Sequence, residues 1–277
     1  VLKRGFHMGL IKSIRTVVSE NWTNRKRLVR LAVYDLKNKN GGTVLGFLWN
    51  FLNPALQILI YWFVFAVGLR QGADIGGVPY IIWLIVGIVP WFFMSTCMLE
   101  SDMSILSFSS VLKRMTFPMA VVPVKTVVTN LITHFISVII AFIIVAASGV
   151  HIGSQLWQIV YYMFAAVFFL ISYALIGSSI TVIFRDYHNI FSFVVRMLFF
   201  ISPAMWNPDE SNKAIRIIMM INPFAYIING YRNAVFYSES LLLPLTNGII
   251  FWAVSIVMFI VGCLLHTKLR RKFIDLL

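Results

Sequence analysis

Apolar residues run in six long blocks along this chain, at about 46–69, 78–99, 118–147, 155–184, 189–206 and 246–266, and charge is almost absent from all six. Hydrocarbon about 30 Å thick takes roughly 20 apolar residues in a helix to cross. Each block therefore predicts a transmembrane helix, and the chain reads as an all-α polytopic membrane protein with six spans. What remains is an N-terminal segment over residues 1–42, short loops, an insertion between the last two spans and a basic tail. Residues 43–277 are thus predicted to be one membrane domain, with no room for a separate soluble one.

Three shorter segments carry patterns of their own. Val29, Ala32, Val33 and Leu36 recur at helical spacing, with Arg25, Lys26, Arg27, Arg30 and Lys37 around the rest of the turn. This predicts a basic amphipathic helix lying in an anionic leaflet, and the five cations are candidates for gathering an anionic head group. The plain alternative is a topology anchor. A weaker stripe follows Ile11, Ile14 and Val18, and Gly41-Gly42 supplies the turn into the first span. Residues 107–117 place serines before a short helical run and stop it at Phe117-Pro118, which predicts a short helix across the cytoplasmic face. Residues 213–235 are apolar, but Asn222-Pro223 divides them into halves too short to span. They are predicted to dip into the membrane and return as a re-entrant pair of half-helices, the alternative being a surface loop with an apolar face.

Charge sets the orientation. The chain is 60% hydrophobic yet carries a net charge of +13. Ten of its Lys and Arg precede Gly41, Lys113 and Arg114 lie between spans two and three, Arg185 lies between four and five, and four more are in the tail. By the positive-inside rule these define the cytoplasmic side, so both termini are predicted to be cytoplasmic. Arg70, Lys213, Arg216 and Arg232 fall on the other side, while Lys125 and Arg196 lie within spans.

Several chemistries find no residues to perform them. The chain has neither a phosphate-binding G-x-x-x-x-G-K-[ST] loop nor an H-E-x-x-H zinc pair. Cys97 and Cys263 both fall in apolar blocks and suggest neither a disulfide nor a metal site. Glu100 and Asp102 end span two, Asp186 ends span four, and no acid sits at mid-membrane where an ion-coupled carrier would hold one. His134 is the one histidine well inside a span, and its plain reading is packing against a backbone carbonyl. The first 40 residues lack an uninterrupted apolar core, so no cleavable signal peptide is expected. Two readings fit Arg196: snorkelling to the interface, or lining a polar passage near an anionic head group.

Four blocks together resemble the membrane subunit of a type 2 ABC exporter, of the branch that exports bacterial cell-surface polysaccharides and teichoic acids. They are Tyr34-Asp-Leu-Lys-Asn-Lys with Leu45-Gly-Phe-Leu-Trp49 and Asn53-Pro54; Ser110-Val-Leu-Lys-Arg-Met-Thr-Phe-Pro118; Arg185-Asp186 leading to Ile201-Ser-Pro-Ala-Met-Trp206; and Asn222-Pro223 with Tyr231-Arg232. In the first block Asn40-Gly-Gly-Thr43 replaces an aromatic-containing run. The resemblance implies that a separate cytoplasmic ATPase docks on Ser110, Val111, Leu112, Lys113, Arg114, Met115, Thr116 and Phe117. It also implies two copies of this chain with two ATPases, ATP and Mg being bound by the partner and no cofactor by this chain. Spans one and five would line the passage, and Asn222, Pro223, Tyr231 and Arg232 would belong to an outer gate.

Aromatic rings suit a glycan, because they stack on sugar C–H faces without gripping them. Tyr61, Trp62, Phe63 and Phe65 in span one and Phe191, Phe193, Phe199 and Phe200 in span five are the candidates, with Arg196. Their plain alternative is packing on neighbouring helices, while Tyr80, Trp83, Trp91 and Trp206 are candidates for interfacial anchors. The expected cargo is a polyprenyl-diphosphate-linked polymer crossing a bacterial cytoplasmic membrane, with wall teichoic acid first and O-antigen or capsular polysaccharide next. The expected partners are the ATPase, a second copy, the lipid-linked polymer and the bilayer, and no nucleic acid. A drug or small-lipid exporter of the same class is the nearest rival. An ion-driven flippase would need a buried titratable pair, and an intramembrane transferase a His, Asp or Glu constellation.

Overall fold

The computed structural model of this protein describes residues 2–39, 42–64, 74–114, 117–208, 212–238 and 245–276. The regular structure of the described residues is helical apart from a two-residue antiparallel ladder, Asp74–Ile75 with Val78–Pro79. Four helices are long and apolar enough to cross a membrane: α4 (Tyr80–Asp102), α7 (Val121–Ala147), α8 (Gln158–Ile183) and α12 (Leu245–Leu276). They fall on the predicted second, third, fourth and sixth spans. On the first and fifth spans lie shorter helices, α3 (Trp49–Trp62, 14 residues) and α9 (Tyr187–Ile201, 15 residues). At 1.5 Å per residue α9 rises only about 22 Å, so length alone supports four crossings among the described residues. The end of the first predicted span, 65–69, lies outside them.

Burial ranks the four long helices. In α4, 78% of the apolar stretch is covered by protein, against 22% in α7 and in α12. The bundle is therefore built around α4, which packs on α7, α8 and α11 (Pro223–Arg232), and α8 joins it to α12. The uncovered faces of α7 and α12 carry Phe135, Ile139 and Ile143 and Ile249, Val257 and Val261, as helices bordering lipid do.

The N-terminal segment folds as α1 (Leu2–Thr23) and α2 (Arg25–Asn38). The buried stripe of α2 is Leu28, Ala32 and Leu36, which corrects the predicted one, since Val29 and Val33 are exposed. The reason is tertiary: Leu28 packs on Val121 and Val124 of α7. Asp35 pairs with Lys125 of α7, so the lysine inside the third predicted span has a carboxylate partner. The basic tail is also not loose. It continues α12, where Thr267 donates to Ser13 of α1, Arg270 pairs with Glu20, and Phe273 is buried.

The segment before α12 breaks where its sequence predicts. Helix α10 (Lys213–Ile221) ends at Asn222, and α11 starts on Pro223, whose missing N–H is harmless in a first helical turn. The Asn222 Oδ1 accepts from Phe224 N at 2.9 Å, and its Nδ2 donates to Ser202 Oγ at 3.2 Å.

Candidate functional site

The predicted docking segment is two short helices, α5 (Ser104–Ser107) and α6 (Ser109–Arg114), hanging from the end of α4. Leu112 and Phe117 pack with Phe108 onto Ile105, Met119, Val122, Val182 and Phe273. That cluster joins the segment to the ends of α7, α8 and α12. Ser110 and Lys113 are exposed and Val111 is half-buried. Of the remaining candidates, Arg114 closes α6, while Met115 and Thr116 lie outside the described residues. The segment thus has an inner side seated on three helix ends and an outer side available to a partner. A displacement of one is mechanically a displacement of the other, because packed interiors do not deform continuously.

Directly above this seat lies a polar cluster that sequence reasoning missed. Asp102 is completely buried, and Tyr173 Oη donates to its Oδ1 at 2.7 Å. The Tyr187 hydroxyl is 3.3 Å from that of Tyr173, and His188 Nδ1 is 3.8 Å from Asp102 Oδ2. Phe191 stacks on Tyr173 at 4.9 Å. A Cβ at Gly177 would collide with the Asp102 carboxylate, so the glycine is what lets it lie against α8. The cluster ties α4 and α8 to the first turns of α9. The sequence placed Asp102 at the end of a span but offered no spacing that joins three separate helices.

Among the passage candidates, Tyr61 lies 5.4 Å from Phe92 and 6.1 Å from Phe199, which in turn meets Trp91 at 5.5 Å and Phe200 at 5.3 Å. Helices α3 and α9 are thereby brought together over α4. Phe191 is not part of this group, belonging to the Tyr173 cluster instead. Trp62, Phe63, Phe193 and Phe200 are exposed, and the Arg196 guanidinium lies 5.3 Å from the Phe193 ring. Phe65 lies outside the described residues. Tyr80, Trp83 and Trp91 are only 3% exposed and therefore pack inside rather than anchor at an interface. Trp206 is half-buried, its indole donating to Phe200 O at 3.0 Å.

At the other end of α4, Arg232 is 1% exposed, not a surface charge. It donates to the carbonyls of Pro203, Ala204 and Trp83 at 2.6, 2.8 and 3.3 Å. Tyr231 beside it bonds His134 Nε2 at 2.8 Å, so the partner of His134 is a side-chain hydroxyl and not a backbone carbonyl. The imidazole also stacks on Phe93 at 4.3 Å. These contacts, with the Asn222 cap, fix α11 against α4, α7 and the 202–206 turn.

The N-terminal cations divide into two sets. Arg25, Lys26, Arg27 and Arg30 line one surface depression of about 430 Å³, while Lys37 stands apart, exposed further along α2. Four cations around one concavity concentrate positive potential where an anionic group could sit. Nearby, Lys39 pairs with Glu100 at 2.5 Å, and Asn130 donates to the same carboxylate at 2.8 Å. Among the described residues no three metal-binding side chains converge.

Residues 27–236 of the 277 match the ABC-2 type transporter family. The O-antigen export system permease protein RfbA of Myxococcus xanthus is 29% identical over 251 residues, which cover 86% of this chain and 94% of that protein. Two permeases of the same description from Klebsiella pneumoniae are 28% and 27% identical, each comparison covering 90% of this chain and 94% of the relative. With a match across most of its length, from the amphipathic helix to the turn after α11, this chain belongs to the ABC-2 type transporter family, as a permease subunit of a type 2 ABC exporter.

Proposed function

We propose that the chain is the membrane half of an ATP-driven exporter of a lipid-linked cell-surface polysaccharide of the O-antigen kind. The observation that carries this reading is the coverage of the relatives: three O-antigen export permeases match over 94% of their length. Wall teichoic acid, expected first from the sequence, takes second place because no teichoic acid permease stands among those relatives. In this reading a polyprenyl-diphosphate lipid approaches the basic depression of α2, its tail staying in the bilayer while the head and polymer enter the protein.

Two copies of the chain act with two ATPase subunits, which carry the ATP and Mg. Closure of the ATPases pushes on Ser110 and Lys113, and the seated segment passes the movement to α4, α8 and α12. Helices α3 and α9, paired through Tyr61 and Phe199, line the passage, and α10 and α11 close its outer mouth. With α3 and α9 completing the crossings, the chain spans six times and both termini are cytoplasmic.

The test is a pull-down of the tagged chain from gently solubilised host membranes, with mass spectrometry of bound protein and lipid. An ABC ATPase together with a polyprenyl-diphosphate glycan supports the reading. A polyol-phosphate polymer would restore teichoic acid, and an ATPase with only small lipids would favour the small-lipid rival.

A further inference from the structure

Between α10, α11, the 207–208 turn and the start of α12 lies a cavity of about 550 Å³, at the end of α4 opposite the docking segment. Its polar lining is dominated by carboxamides: Asn207, Asn229, Asn233 and Asn247 come from three separate stretches of chain and converge on it. Tyr162, Tyr226, Tyr237, Arg216 and the carbonyl-bound Arg232 also line it, and no acidic residue joins them among the described residues. Asn229 and Asn247 are half-buried, yet neither side chain bonds another protein group among the described residues. A carboxamide has two donors and an acceptor oxygen, and those of Asn229 and Asn247 stay open to water or to a ligand. The Tyr226 ring is held in place, stacked on Phe251 at 4.7 Å with its hydroxyl 3.1 Å from that of Tyr161.

We propose that this cavity is a carbohydrate subsite, taking a neutral, hydroxyl-rich sugar unit of the exported polymer on the far side of the gate helices. The inference rests on the polysaccharide reading above. Its chemistry is that of sugar recognition: hydroxyls both donate and accept, as carboxamides do, and the fixed Tyr226 ring adds aromatic surface to the lining. A volume of this size admits one or two pyranose rings and excludes a folded polymer. A metal would need carboxylates, and none lines the cavity among the described residues. Binding of a leading sugar here would bias the gate helices while the chain follows.

The experiment uses the full permease–ATPase complex in nanodiscs, with saturation-transfer NMR on maltose, lactose and diacetylchitobiose, and sodium phosphate as an anionic control. At least one disaccharide is expected to saturate the site. Asn229→Leu and Asn247→Leu should each weaken it about fivefold, the worth of one neutral hydrogen bond, and Asn229→Gln should weaken it less. Elution as an intact complex with ATPase keeps the variants interpretable. No saturable sugar signal, or one indifferent to both leucine variants, overturns the proposal. So does competition by phosphate alone that disappears with Arg216→Gln. Surface-polysaccharide export by the same complexes in cells separates the two readings. Export with no Asn229-dependent binding sinks the subsite and leaves the exporter standing, whereas Asn229-dependent binding without glycan export sinks the exporter.

Discussion

The guanidinium carbon of Arg232 lies 3.2 Å from the centre of the Trp83 ring while its nitrogens hold three backbone carbonyls. Among the described residues this buried cation has no carboxylate partner, and carbonyl dipoles and an indole face surround it. The arrangement depends on Gly87, where a Cβ would collide with the guanidinium.

Arg232→Ala should therefore loosen α11 from α4. Hydrogen bonds between membrane-embedded groups average about 0.6 kcal/mol, so the three together are worth about 2 kcal/mol. Gly87→Ala should lower thermal stability by displacing the same group. Thermal unfolding of the purified complex should find the double variant hardly worse than the weaker single, because both remove one interaction. Full additivity would show that Gly87 and Arg232 are independent.

The Tyr173 to Asp102 hydrogen bond gives a second expectation. Tyr173→Phe keeps the ring that stacks on Phe191 but leaves a buried carboxylate oxygen without its donor. A double-mutant cycle with Asp102→Asn should return a coupling of about 1 to 2 kcal/mol in thermal stability. Because the cluster holds the first turns of α9, Tyr173→Phe should also slow export while the ATPase remains bound. A coupling near zero would mean that the cluster merely fills space.

How much of this was legible in the sequence follows from range. The four long helices, the break at Asn222-Pro223 and the short helices between α4 and α7 were readable because hydropathy, proline and capping residues act within a few positions. The buried stripe of α2 was not, since Leu28 is covered by α7 and Val29 by nothing, a choice that local periodicity leaves open. Nor was the Asp102 cluster, whose members lie 71 residues apart. The sequence placed Arg232 on the outer side but not in the interior, because the carbonyls that hold it belong to distant turns. Among the passage candidates, Tyr61 and Phe199 lie 6.1 Å apart, while Phe191 stacks on Tyr173 instead, pairings that sequence spacing does not give.

The docking segment can be tested without touching its seat. Lys113→Glu with Arg114→Glu reverses two charges on a segment anchored by Leu112 and Phe117. Substrate-stimulated ATP turnover should fall to the basal rate, and Lys113→Glu alone, at an exposed position, should move thermal stability by no more than about 0.5 kcal/mol. Leu112→Asp should do the opposite, lowering stability as well because it places a charge in the apolar seat. Normal export by the Lys113 and Arg114 double variant, with the ATPase bound, would falsify the docking assignment.

The ion pair of Lys125 with Asp35 separates a structural role for α2 from a simple anchor. The Lys125 side chain is 10% exposed and that of Asp35 36%, so the two partners should respond unequally when removed. Asp35→Asn leaves a nearly buried ammonium without its counter-charge. Water reaching the carboxylate side moderates the effect, so the loss should be about 1 to 2 kcal/mol rather than the larger value of a sealed pair. Lys125→Met should lose less, because Asp35 can turn to solvent and the methionine still packs under the Phe108 ring, 5.0 Å from the lysine nitrogen. The double variant Asp35→Asn with Lys125→Met should recover most of what Asp35→Asn alone loses. Thermal unfolding at low and high salt checks this: the single Asp35 variant should respond to salt and the double variant should not. If Asp35→Asn is neutral, α2 is held to α7 by the packing of Leu28 and the Thr129 hydrogen bond to Ala32 O, and the segment reverts to a topology anchor.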